Sequence, residues 1–164
     1  MADNAPAPAA QLVEEFAFYA DLDVVMVGPG PFGQRAIATI TGGELTGERL
    51  KGALVGAGAD WSLIGPDGYL RVDVRTTLRT LDGAHIYFQY SGFIEVTPDF
   101  VALNRGENVS TDFGDQYFFT SLRLETGDER YSWVNHTMFL GQGRLLPGPR
   151  VDYRVYRVTN APEQ

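Results

Sequence analysis

The sequence predicts a single all-β domain whose antiparallel strands close around a partly polar interior. Three observations carry that fold class. Aromatic residues make up 12% of the chain, and nineteen Gly and nine Pro punctuate it, a composition that favours short strands and tight turns over long helices. The apolar residues fall in short runs of Val, Ile, Leu, Phe and Tyr. Turn clusters separate the runs: Gly28-Pro29-Gly30-Pro31, Thr41-Gly42-Gly43, Gly65-Pro66-Asp67-Gly68, Asp82-Gly83, Thr126-Gly127-Asp128 and Pro147-Gly148-Pro149. That spacing belongs to antiparallel sandwiches and barrels. The length, 164 residues, suits one domain with its own core.

Taken in order, residues 1–10 are Ala/Pro-rich and read as a flexible tail, and 11–160 as the β domain. Strands are expected at 12–19, 22–28, 33–41, 44–47, 52–64, 69–80, 84–97, 100–104, 116–125, 131–141 and 151–158. A short helical turn fits Gly47 to Lys51, and the polar stretch Asn104 to Asp115 reads as a loop of the kind that rims binding sites.

Charge and composition exclude several function classes. The net charge is −8 and Lys51 is the only lysine; nucleic acid and anionic membranes call for basic patches instead. With no cysteine, thiolate catalysis and zinc–cysteine sites are out. The N-terminus lacks a signal-peptide pattern and no apolar run reaches membrane-spanning length, so the expected compartment is the cytoplasm. The sequons at Asn108 and Asn135 are read as chance. Gly28-Pro29-Gly30-Pro31-Phe32-Gly33 formally fits a dinucleotide-binding glycine pattern, but its prolines lead into a strand rather than a helix. Two histidines, His85 and His136, are too few for most histidine metal sites; no metal and no cofactor are expected.

Hairpin turns allow strands to be aligned. If Asp82-Gly83 is a two-residue turn, Leu81 opposes Ala84 and Arg75 opposes Tyr90. Asp73, Arg75, Thr77, Ile86, Phe88 and Tyr90 then share one face. Closing Gly65-Pro66-Asp67-Gly68 with Ile64 opposite Tyr69 adds Asp60 to that face. If the face points inward, Asp60, Asp73, Arg75 and Tyr90 form a catalytic group. Two poorly solvated carboxyls cannot both ionise cheaply, Arg75 can hold one of them or a substrate anion, and Tyr90 can donate a hydrogen bond. If it points outward, the same residues form an ordinary surface ion-pair ladder. Around them, Trp61 and Phe88 would contact substrate. A second patch joins Tyr117, Phe119, Trp133 and Asn135, aromatic walls beside an amide, as a flat ligand requires; its bland reading is a core Trp served by Asn135.

Gly33-Gln34-Arg35, Gly42-Gly43-Glu44-Leu45-Thr46-Gly47, Lys51-Gly52, Gly58-Ala59-Asp60-Trp61, Asp73-Val74-Arg75, Asp82-Gly83-Ala84-His85-Ile86, Tyr117-Phe118 and Tyr131-Ser132-Trp133-Val134-Asn135 occur in that order. In this the chain resembles the bacterial "domain of unknown function 3237" family, also called uncharacterised protein family 0311, from about Leu12 to Val158. The resemblance implies a single antiparallel β-barrel, lipocalin-like or allene-oxide-cyclase-like, with a central cavity, and no general function. Two departures stand out. Gly56-Ala57-Gly58-Ala59-Asp60 replaces paired glycines, and Phe119 stands where the family often has Arg.

The function expected is a cofactor-independent acid/base enzyme, a lyase, isomerase or cyclase, acting on a small aromatic or conjugated hydrophobic substrate in the cavity. The alternative is a non-catalytic carrier of a small hydrophobic ligand; a third class is an interaction subunit. A homodimer is compatible with all three.

Overall fold

The computed structural model describes residues 9–160; the first eight residues of the expected tail lie outside the described residues. The elements are β1 (Gln11–Gly30), β2 (Gly33–Gly42), β3 (Glu44–Gly47), β4 (Lys51–Asp60), β5 (Leu63–Ile64), β6 (Tyr69–Thr80), β7 (His85–Glu95), α1 (Pro98–Asn104), β8 (Phe118–Glu125), a 3-10 helix (Glu129–His136), β9 (Phe139–Leu146) and β10 (Arg150–Thr159). All strand pairings are antiparallel, and they run as a ring in the order β1-β10-β9-β8-β7-β6-β5-β2-β4-β3, with added pairings β1–β2 and β4–β6.

This corrects the expected lipocalin-like or allene-oxide-cyclase-like β-barrel with a central cavity. Lipocalin-type barrels are up-and-down structures in which neighbouring strands follow in sequence. Here β1 divides its length between β10 and β2, β3 and β5 are short inserts, and β4 meets β2 at only two positions. The centre is not open. Phe16, Phe18, Phe88, Tyr90, Phe118, Phe139 and Tyr153 fill it, all at most 4% exposed. Phe18 stacks on Tyr153 at 4.7 Å and meets Phe88 edge-on at 5.1 Å. Close-packed aromatic rings supply the burial that holds the ring of strands together.

Five elements differ from the sequence expectation. The strand expected at 52–64 is two, β4 and β5, separated at Trp61 and Ser62. The strands expected at 12–19 and 22–28 are one, because β1 pairs with β10 as far as Asp21 and with β2 from there on. The strand expected at 100–104 is helix α1. Thr97 caps it, its hydroxyl accepting from Phe100 N at 3.2 Å, and Pro98 follows in the first turn. The strand expected at 131–141 is the 3-10 helix, capped by the Asp128 side chain through Arg130 N, and the strand there begins at Phe139. Gly47 to Lys51 contains a bend, not a helical turn.

The decisive difference is the β6–β7 register. The loop is Leu81-Asp82-Gly83, closed by Thr80 N donating to Ala84 O at 2.9 Å and Gly83 N to Thr80 O at 3.0 Å. Gly83 takes φ +91°, the left-handed position of a three-residue hairpin. Thr80 Oγ1 also accepts from Ala84 N at 2.8 Å. Arg79 therefore opposes His85, Arg75 opposes Gln89 and Val74 opposes Tyr90. One extra loop residue exchanges the two faces of β6 relative to β7. Val72, Val74, Thr76 and Leu78 point inward with Ile86, Phe88 and Tyr90, while Asp73 and Arg75 point outward.

Candidate functional site

Asp60 ends β4 facing inward. It lies in one transverse row, Ala38–Asp60–Val74–Tyr90, across four neighbouring strands, and directly opposed residues share a face. Its carboxylate Oδ1 accepts from Asp73 N at 2.9 Å. Next to it, Trp61 N donates to Asp73 O at 3.0 Å, and the Trp61 carbonyl turns aside to accept from Arg35 Nη1 at 2.6 Å. Asp60 thus supplies the acceptor that the ladder lacks where β4 leaves β6, a structural duty as well as a chemical opportunity.

Burial pushes the Asp60 carboxyl up to about 6. The Asp73 amide pulls it down, the Asp73 charge pushes it up, and Arg35 pulls it down. Burial likewise raises Tyr90 above the usual phenol range, with the Asp60 charge adding to it. Tyr153 is raised by burial, then by Tyr90 and Asp60. The Tyr90 and Tyr153 rings lie 5.4 Å apart, edge to face. Among the described residues, no hydrogen bond engages either phenol hydroxyl. One titratable carboxyl and two uncommitted phenols therefore share the aromatic interior.

Beside Asp60 the wall of strands is interrupted. β4 leaves β6 after Val55 and rejoins it at Ala59, so Gly56, Ala57 and Gly58 form a bulge. Gly56 takes φ +71°. A Cβ on Gly58 would come within 2.5 Å of Thr76 Oγ1. Bulges of this kind re-aim strands beside functional sites. Over this one lies a cleft of about 480 Å³ walled by Ile37, Trp61, Arg75 and Tyr87, with the inward residues Ile40 and Thr76 at its floor. Its volume is in the range of small-molecule sites.

The expected catalytic group is thus divided. Asp60 and Tyr90 are together on the inner face. Asp73 and Arg75 are on the outer face, 46% and 49% exposed and 3.6 Å apart, an exposed pair of small energetic weight. Arg75 instead borders the cleft. Of the expected contact residues, Trp61 lines the cleft and Phe88 is core. Tyr117 and Phe119 touch each other at 5.0 Å on the outer surface. Trp133 packs against the core beneath the Arg49 guanidinium, 3.8 Å from its ring, and borders a separate cleft of about 360 Å³ with His136. Asn135 clasps the Thr126 backbone, accepting from its N at 2.8 Å and donating to its O at 2.9 Å. Sequence reasoning missed Tyr153, Thr76, Ile37, Tyr87 and Arg35. The alternation Val151, Tyr153, Val155 marks Tyr153 as inward, and glycines inside a strand pattern mark the bulge. Among the described residues, no group of three or more His, Cys, Asp or Glu side chains is arranged to hold a metal ion.

Fold and site together define an all-β antiparallel ring protein with one ionisable carboxyl buried against an aromatic interior and an open cleft beside it. The chain belongs to the family described as "Protein of unknown function (DUF3237)", whose model matches residues 10–158. It is 33% identical over 120 residues to the UPF0311 protein RPA1785 of Rhodopseudomonas palustris, covering 73% of this chain and 77% of that one. The crystal structure of RPA1785 superposes with a TM-score of 0.82, covering 93% and 99% of the two chains. A "beta-barrel like protein" from Acinetobacter baumannii superposes at 0.77 with 32% identity, covering 96% and 100%. The chain is also 26% identical over 107 residues to the hydroalkoxylation enzyme phnH of Penicillium herquei, covering 65% of this chain and 56% of phnH. A solved enzyme from the same fungus, 19% identical with a TM-score of 0.62 over 97% and 100% of the two chains, shares the fold.

Proposed function

We propose that this protein is an acid/base enzyme acting on a small aromatic or conjugated substrate, with the bulge cleft as the substrate entrance and Asp60 as the proton-transfer group. The observation that carries the reading is the position of Asp60: a carboxyl poised near neutrality, flanked in sequence by the cleft residues Ala59 and Trp61, and facing two phenols without hydrogen-bond partners. A general base works best when its pKa lies close to the operating pH. Tyr90 and Tyr153, which burial keeps protonated, serve as hydrogen-bond donors to a developing oxyanion.

The reaction class suggested by phnH is consistent with such a site. Hydroalkoxylation adds an O–H across a C=C bond. One proton leaves oxygen, one arrives at carbon, a C–O bond forms and the π bond is lost, so the balance closes with proton transfer alone. Asp60 would take the hydroxyl proton and return a proton to carbon.

The test is conversion of phenols carrying an alkene side chain to cyclic ethers, followed by chromatography. Asp60→Asn keeps an acceptor for the Asp73 amide but cannot titrate. It is expected to lower kcat by about 10²-fold or more, and the wild-type rate to rise with pH through about 6. Full turnover by Asp60→Asn sinks the assignment. The structural duty of Asp60 favours a second reading, a carrier, in which aromatic ligands bind and return unchanged.

A further inference from the structure

The outer-face position of Arg75, which removes it from the buried acid/base group, places it at a site of its own. Three features meet in the cleft. The first is two aromatic side chains, Trp61 and Tyr87, 39% and 38% exposed. Rings that large on a surface are costly to leave wet and offer faces for a flat ligand.

The second is bare backbone. Gly56, Ala57 and Gly58 take no partner in either ladder, since β4 is off β6 from Val55 to Ala59 and meets β2 only at Ala59 and Asp60. Their own side chains are no larger than a methyl, which leaves room at that wall of the cleft.

The third is charge. On a protein of net charge −8, the guanidinium that lines this cleft is weakly neutralised. Arg75 has Asp73 at 3.6 Å as its ion partner, beyond hydrogen-bond length. Arg35 is bonded to the Trp61 carbonyl and its charge acts on Asp60, so it is not the cation the cleft offers. Other arginines on the same molecule are held at 2.7–2.9 Å, as in Arg150–Asp21, Arg49–Glu15 and Arg144–Asp152. Arg75 is therefore a cation with donors to spare, at the rim of an aromatic slot.

We infer that the cleft binds a planar aromatic carboxylate, its ring against Trp61 and Tyr87 and its carboxylate on the Arg75 guanidinium. The inference takes from the proposed function only that this cleft is the substrate entrance. It adds the substrate class: an aromatic acid rather than a neutral aromatic. A guanidinium fork matches a carboxylate in shape and charge. A slot with the cation at one end also fixes which end of a conjugated ligand points down toward Thr76 and the Asp60 side.

The test uses 4-hydroxycinnamate and its uncharged methyl ester as probes of the full-length protein. Binding is followed by calorimetry, and the site is located by the Trp61 indole NMR signal, assigned by its loss in Trp61→Phe. The acid is expected to bind about tenfold or more tightly than the ester, with its preference shrinking as salt rises. Arg75→Gln is expected to abolish that preference and Arg75→Lys to retain part of it. Arg75 is half exposed, so both variants are expected to fold, as thermal unfolding will show. Equal binding of acid and ester, an undiminished preference in Arg75→Gln, an unmoved Trp61 indole, or no binding of either probe at millimolar concentration would each overturn the inference. Asp60→Asn turnover judges the catalytic reading separately. Arg75-dependent acid binding with full Asp60→Asn turnover keeps the cleft assignment and rejects acid/base catalysis. Asp60-dependent turnover of neutral phenols without acid preference does the reverse.

Discussion

Asp60 carries a thermodynamic signature that its chemistry requires. Its folded pKa, near 6, lies above its ordinary value of 3.8, so the folded state binds a proton there more tightly than the unfolded chain. That stabilisation is fully present below about pH 4 and is lost as pH rises through about 6. Above that, the folded protein holds an ionised carboxylate in a poorly solvated place, at a cost of up to about 3 kcal/mol. Asp60→Asn is therefore expected to be more stable than the wild type at pH 8, by an amount that shrinks to nothing near pH 4; urea unfolding across that range checks it. A variant less stable at pH 8 would show that the Asp73 amide needs a full negative charge. The interior aromatics behave differently from one another. Tyr90→Phe removes a hydroxyl without a hydrogen-bond partner and is expected to leave stability unchanged or slightly raised. Phe88→Ala, fully buried among Phe16, Phe18 and Tyr90, is expected to lose about 3–5 kcal/mol.

At the scale of elements, the β6–β7 hairpin decides which side chains the ring encloses. Its loop depends on Gly83 at positive φ and on the Thr80 hydroxyl. Gly83→Ala is expected to cost about 1 kcal/mol, the penalty of a left-handed conformation with a Cβ. Gly143, on β9, is a different kind of glycine. A Cβ there would lie 2.5–2.7 Å from three ring carbons of Phe118, and that ring, fully buried, packs against Tyr153 at 5.2 Å. Gly143→Ala is expected to cost about 1–3 kcal/mol through overpacking, more than Gly83→Ala. Thermal melts of the two variants rank them directly, and the reverse order would show that Phe118 can retreat. The Asp82-Gly83 turn was legible in the sequence, but whether two or three residues form its loop was not. Aspartate-glycine fits both, and only Thr80, which bonds across to Ala84, selects the longer loop.

For the whole molecule, closure of the ring brings distant charges together at its seam. Glu15 on β1, 6% exposed, accepts from Arg157 on β10 at 2.8 Å and from Arg49, just beyond β3, at 2.8 and 2.9 Å. Removing the carboxylate leaves guanidiniums in a partly dry place, the costly way to break a buried pair. Glu15→Gln is expected to lose about 3 kcal/mol, with far-UV circular dichroism of the folded state unchanged. A loss within about 0.5 kcal/mol would show the seam to be held by the β1–β10 ladder and the Phe16–Phe139 contact alone. None of this network can be read from the sequence, where Glu15 and Arg157 are 142 residues apart.

The β class and most of the strands were legible in the sequence; Asp60 and Tyr90 meet on the inner face through registers that it did not give, with Ile64 opposite Leu70 and Val74 opposite both Asp60 and Tyr90. Alternation, turn residues and composition are local properties, and each strand carries its own. The sequence also held, unread, the Thr97-Pro98 start of α1 and the Gly56–Gly58 bulge. Tertiary structure alone decided which way Asp73 and Arg75 face, what fills the centre of the ring, and where the cleft opens. The physical reason is that side-chain direction in a strand has a period of two, so one added loop residue reverses a face, while burial of the aromatic rings selects which reversal survives. Filling the ring with those rings replaced an expected central cavity by a solid core and left the opening at the bulge, where the ladder itself is interrupted.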